Sequence, residues 1–338
     1  MRNRETGSRN RTPRRSQTPR TIVGLVAGLA LVAAACGSDD EPAADGATSD
    51  TVATSDAPAS TDATSSAPGT NEPADDAAVD QRIVSLSPTH TEMLFAIGAG
   101  GELVAVDEFS NYPPEALELP NELSGFEPNV EAIAAYEPDL VVIGGDFTGL
   151  GDQLDELGIA WWDGPAAQTL DDTYEQIEQL GAATGYVGSA AELVSSMQTE
   201  IDEIVATTPA TDEPLTFFHE LDDTLFSADS TTFVGELYSL LGLQNIADRA
   251  EGNSGGFPQL SAELVVSADP DLIFLADTKC CGQSLETVSA RDGWGEMTAV
   301  VNGDVIEMDD DIASRWGPRV VEYLAAVSAA VEQVAVPA

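Results

Sequence analysis

Positive charge is what this sequence has least of. Seven of its 13 basic residues, all arginine, lie before Thr21, and beyond that point only Arg82, Arg249, Lys279, Arg291, Arg315 and Arg319 remain. Against them stand 58 acidic residues past Glu5, a formal charge near −52. A nucleic-acid-binding role is excluded, because no basic patch exists to displace phosphate counterions. Cysteine is nearly absent: Cys36, Cys280 and Cys281 are the only three. The adjacent pair fits no structural zinc spacing, and outside the cytoplasm it either closes a vicinal disulfide or pairs with nothing. No metal site and no cofactor are predicted. No apolar run reaches the ~20 residues a membrane-spanning helix needs; the run from Thr21 to Ala35 has 15. Aromatic residues are missing between Asp39 and Asp80, a stretch of Ala, Ser, Thr, Asp, Pro and Gly that cannot build a core.

What is present begins with the N-terminus. Arginines precede the uncharged run, which closes on Ala33-Ala34-Ala35 directly before Cys36-Gly37-Ser38. That order is a cleavable secretion signal, residues 1–35. It resembles the bacterial lipoprotein signal, and the resemblance makes Cys36 the lipidation site; an ordinary secretory signal would instead leave Cys36 a free thiol. Acylation there holds the mature chain on the membrane, since each buried methylene contributes ~0.8 kcal/mol. Residues 36–81 read as an acidic, disordered tether that keeps a folded body off the bilayer.

Beyond Gln81, apolar segments recur and two of them repeat. Val130 to Ile143 aligns without a gap on Ala262 to Leu275, an offset of 132 that superposes Glu137-Pro138-Asp139-Leu140 on Asp269-Pro270-Asp271-Leu272. In each, a helix starts at a polar cap (Asn129, Ser261), stops before Pro-Asp and gives way to an apolar strand. Glu92 to Gly98 likewise matches Glu236 to Gly242, both amphipathic helices ended by glycine, at an offset of 144. Two matched pairs in one order indicate a duplicated lobe.

Strands are predicted at 83–86, 103–106, 140–143 and 160–162, then at 215–219, 272–275 and 305–308, alternating with helices as in parallel-sheet α/β folds. Between the halves, Leu193, Met197, Ile201, Ile204 and Val205 form one stripe of a long helix without Gly or Pro. The fold expected is α/β: an N-terminal lobe (82–186), a linking helix (187–210) and a C-terminal lobe (211–338), with a ligand cleft facing the carboxyl ends of both sheets. A stiff helical link allows only slight rocking.

Arg82 to Glu92, Asn111-Tyr112-Pro113-Pro114, Glu137 to Val142 and Asp248 to Ser261 together resemble the solute-binding proteins of ABC importers for cobalamin, ferric siderophores and haem. The resemblance spans about Arg82 to Glu332. It implies two α/β lobes on a backbone helix, a metal-chelate ligand with cobalamin or a ferric siderophore first and haem as the alternative, a permease with its ATPase as partner, and a monomeric, extracytoplasmic, lipid-anchored protein that is not an enzyme. By motif position it implies that Glu131 and Glu263 dock the permease; each also sits in a helix first turn, where the dipole favours a carboxylate by ~0.3 to 1 kcal/mol.

Cleft candidates in loops after strands are Phe109, Tyr112, Phe126, Phe257, Arg315 and Trp316, aromatic surfaces of the kind that hold a flat macrocycle. Each Phe is otherwise a core residue, and Arg315 either meets a carboxylate or phosphate of the ligand or forms a salt bridge. His90 and His219 are the only histidines, haem ligands or, more simply, hydrogen-bonded structural residues. Gly252-Asn253-Ser254-Gly255-Gly256 formally matches a hydrolase nucleophile loop, which would make Ser254 catalytic; it lacks the strand-to-helix setting such an elbow requires.

Overall fold

The computed structural model describes Asp76, residues 80–252 and residues 255–335. The secretion signal, Cys36 and Ser254 lie outside the described residues.

Among the described residues, eight strands form two sheets: β1 (Ile83–Leu86), β2 (Leu103–Val106), β3 (Leu140–Ile143) and β4 (Ala160–Asp163) in one, β5 (Thr216–Glu220), β6 (Gln244–Asn245), β7 (Leu272–Leu275) and β8 (Val305–Glu307) in the other. Strand order is β2-β1-β3-β4 and β6-β5-β7-β8, all pairs parallel. The two lobes share one topology. Every residue of β1, β3 and β7 is buried, because helices cover both faces.

The repeat is physical down to single residues. Helices Val130–Ala134 and Ala262–Ala268 are capped by the side chains of Asn129 and Ser261, which accept from the backbone N–H three residues on. Ile133 and Val265 are the anchors buried beneath them. After each helix a non-glycine residue takes the left-handed region just before the proline, Glu137 before Pro138 and Asp269 before Pro270. The next residue explains the conserved-looking Pro-Asp pair of the two halves: Asp139 Oδ2 accepts from Arg82 N at 2.8 Å, and Asp271 Oδ2 accepts from Thr216 N at 2.8 Å. Each aspartate thus pins the start of the neighbouring strand and sets the β1–β3 or β5–β7 register.

The linking helix Val187–Thr207 buries Val194, Met197 and Ile201. It packs on the helices Leu170–Thr184 and Val320–Ala335. One core cluster runs through it without a break, from Leu94 and Val142 of the first lobe to Phe217, Phe274 and Leu324 of the second. A shared core of this kind resists hinge opening, since shearing it would open voids. Tyr186 supplies no side-chain cap to this helix. Asp76, from the stretch expected as tether, does so instead, accepting from Gly188 N (2.8 Å), Ser189 N (3.1 Å) and Ser189 Oγ (2.5 Å). These bonds hold its carboxyl below the usual range.

Candidate functional site

The carboxyl ends of both sheets meet at the edge where the candidate residues gather. Asp107 directly follows β2, and the loop beyond it presents Phe109, whose ring meets Phe126 edge-on with centroids 5.7 Å apart. Phe126 can sit there because Gly125 has no Cβ: one would lie 2.4 Å from Leu86 O at the end of β1. Beside Phe126, Gly145 and Phe147 complete a cavity of about 240 Å³. Phe147, the first aromatic after β3, was not among the sequence candidates. The rule that placed Phe109, an aromatic in the loop after a parallel strand, applies to it equally.

A second cavity, about 400 Å³, lies between the lobes, with Ala167 from the first and Leu221, Phe233, Phe257, Arg315 and Trp316 from the second among its walls. Phe257 is held out by its loop: Gly256 O accepts from Asp229 N at 2.8 Å and Pro258 O from Ser227 N at 2.9 Å. Trp316 donates from Nε1 to Gln176 Oε1 at 3.0 Å, which ties the segment before the last helix to the first lobe.

Arg315 occupies the junction. Its Nη1 donates to Glu92 Oε1 (2.6 Å) and Asn111 Oδ1 (2.9 Å), its Nη2 to Phe109 O (3.0 Å) and Asp311 Oδ1 (2.9 Å). Arg319 pairs with both oxygens of Glu92, at 2.9 and 2.5 Å, and lies 4.2 Å over the Tyr112 ring. Of the two readings open for Arg315, the salt bridge is the one its contacts support: the guanidinium is bonded across the lobes and buried. Phe126 thus meets Phe109, Phe109 meets Arg315, Trp316 and Phe257 line the same cavity as Arg315, and Tyr112 is attached through Arg319.

Both histidines are buried. His90 is bonded on both sides, Nδ1 with Ser87 Oγ at 2.7 Å and Nε2 with Gln176 Oε1 at 3.0 Å, and it packs edge-on against Trp162 and Trp316. His219 meets Tyr238 Oη at 3.0 Å. Burial pushes both rings down to about 4, so they are neutral in ordinary buffers. Neither ring reaches the surface, and the hydrogen-bonded structural reading holds for His90.

In the second lobe, Glu220 at the end of β5 receives both Nη atoms of Arg291 at 2.6 Å. Arg291 lies 4.6 Å over Trp294. Neighbouring Asp277, two residues past β7, is buried with no hydrogen-bond partner on either oxygen. Burial, aided by Glu220, pushes its carboxyl up to about 7. Since the folded value lies above the unfolded one, ionising Asp277 costs the folded state stability as pH rises through 7. Asp277→Asn should therefore stabilise the protein at pH 8 by about 4 kcal/mol, with the gain fading towards pH 4. Urea unfolding at pH 4, 6 and 8 checks this; an equal difference at all three would refute it.

Glu131 and Glu263 are exposed in the first turns of their equivalent helices. Cys280 and Cys281 are joined in a disulfide within the short helix Thr278–Cys281.

A model of the periplasmic binding protein family matches residues 83–312. The Bacillus subtilis ABC transporter substrate-binding lipoprotein YvrC is 31% identical over 250 residues, 72% of this chain and 77% of its own length. The vitamin B12-binding protein of Vibrio cholerae is 30% identical over 259 residues, covering 75% of this chain and 87% of that one. Among solved structures, the periplasmic heme-binding protein RhuT from Roseiflexus sp. RS-1 superposes with a TM-score of 0.68 at 25% identity, over 76% of this chain and all of that one. With the duplicated lobes, the shared helix and the interlobe cavity already in place, these matches are decisive: the chain belongs to the periplasmic binding protein family.

Proposed function

We propose that this protein is the extracytoplasmic, lipid-anchored substrate-binding component of an ABC importer, and that it captures a metal chelate, cobalamin first and ferric siderophores next, and delivers it to a membrane permease. The observation that carries the reading is a row of phenylalanines left open where the two sheets end: Phe109, Phe126, Phe147 and Phe257 are 49, 76, 88 and 50% exposed. Large apolar rings grouped in this way favour a flat, partly apolar occupant. The proposal gives the chain no catalytic step. Acylated Cys36 keeps it at a high effective concentration near its permease, as a monomer whose lobes settle on the transporter through Glu131 and Glu263.

The likeness to a haem-binding protein supports haem as the second reading. The burial of His90 and His219 supports the corrinoid over it, because haem would find no imidazole at the cleft. Thermal unfolding with cyanocobalamin, a ferric hydroxamate and haem, each at saturating concentration, tests the proposal. A ligand at about 100 times its Kd adds ~2.7 kcal/mol of stability. The expected result is a raised Tm with cyanocobalamin; no change with any of the three would overturn the reading.

A further inference from the structure

The cleft edge contains the two devices with which proteins hold anions, guanidinium groups and helix N-termini, and the protein fills both with its own carboxylates. Arg291 is bonded to Glu220, Arg315 to Glu92 and Asp311, Arg319 to Glu92, and Lys279 to Asp309 and Asp311. The N-terminus of the helix after β3 donates from Leu150 N and Gly151 N to Asp146. That of the helix after β7 donates from Thr278 N, Lys279 N and Cys280 N to Asp310. A ligand carboxylate arriving here would have to displace one of these internal anions, and Glu92 or Glu220 would then be left buried and unpaired.

The surplus at the same edge is negative. Asp107, Asp163 and Asp277 lie at or just past the carboxyl ends of β2, β4 and β7 and take part in none of the ion pairs among the described residues. Asp277 is the sharpest case, fully buried without a hydrogen-bond partner. Unpaired carboxylates beside low-dielectric aromatic walls focus a negative field into the opening.

We propose that the cleft selects its cargo by charge, preferring chelates with a net positive charge, accepting neutral ones and rejecting those that carry free carboxylates. The inference rests on the metal-chelate reading above and narrows it. The test compares ligands of one shape and opposite charge: the monocarboxylate of cyanocobalamin and the aminoethyl amide made from that same carboxyl group, titrated at pH 7.5 and low ionic strength. The cationic derivative should bind at least tenfold more tightly, and the gap should shrink in 0.5 M salt. Glu220→Gln, which leaves Arg291 without its carboxylate, should narrow the ratio further. Equal affinities, or tighter binding of the carboxylate, would overturn the proposal. If neither corrinoid nor cyanocobalamin itself binds, the corrinoid reading fails, and the charge rule is decided by an amine-terminated ferric trihydroxamate against its succinylated form and by haem against its dimethyl ester, with the same two outcomes.

Discussion

Replacing Glu92 with alanine should lower the stability of the folded body by about 3–5 kcal/mol, the loss expected when one member of a buried ion cluster is removed and its partners stay behind. Glu92 is 3% exposed and is the acceptor for Arg315 and Arg319 together. Without it, two guanidinium groups from the second lobe face the first with only Asp311, Asn111 and the Phe109 carbonyl left among their bonded acceptors. The same physics predicts that Glu92→Met combined with Arg315→Met and Arg319→Leu costs far less than Glu92→Ala alone, because no uncompensated charge remains. Urea unfolding of the two variants at pH 7.5 separates these outcomes. A loss below ~1 kcal/mol for Glu92→Ala would show that the cluster is solvated and does not pin the lobes together.

The second large effect concerns transport. In the docking reading, Glu131→Ala with Glu263→Ala should reduce uptake by the intact importer at least tenfold while ligand affinity stays within twofold. Both carboxylates lie in exposed first turns at equivalent positions of the two lobes. Removing paired charges at an interface weakens association and its salt dependence. The local cost is small, about 0.3–1 kcal/mol for each lost helix-dipole interaction. Uptake in reconstituted vesicles, measured beside ligand titration, gives the answer. Lost affinity with undiminished uptake would remove both residues from the docking role.

Much of the architecture was legible because it is local and periodic. The apolar four-residue runs at 83–86, 103–106, 140–143 and 272–275 are strands with the bounds their composition implied. The Pro-Asp repeat marked equivalent turns in both lobes. The two-residue strand β6, Gln244–Asn245, escaped notice since it is polar and is held only by pairing with β5. For the site, loops after strands pointed to Phe109, Phe126 and Phe257 as surface aromatics, and the same logic extends to Phe147. Asp76 as the cap of the linking helix could not be read, because an aspartate in a run of Ala, Ser, Thr and Asp carries no signal of its partner 112 residues away.

By itself the sequence determined the acidic balance, the α/β lobes and their duplication, which follow from composition, from the short periods of helices and strands, and from segments that recur at offsets of 132 and 144 residues. Only the tertiary structure decided what the few cations do. Arg291 finds Glu220 across 71 residues, and Arg315 finds Glu92 across 223. Such pairings depend on where the folded backbone brings charges into a shared low-dielectric space, and no local pattern records that. Three of the few positive charges, Arg291, Arg315 and Arg319, are bonded to carboxylates inside the fold, and the cleft they leave is one that, on the charge rule proposed above, carboxylates do not enter.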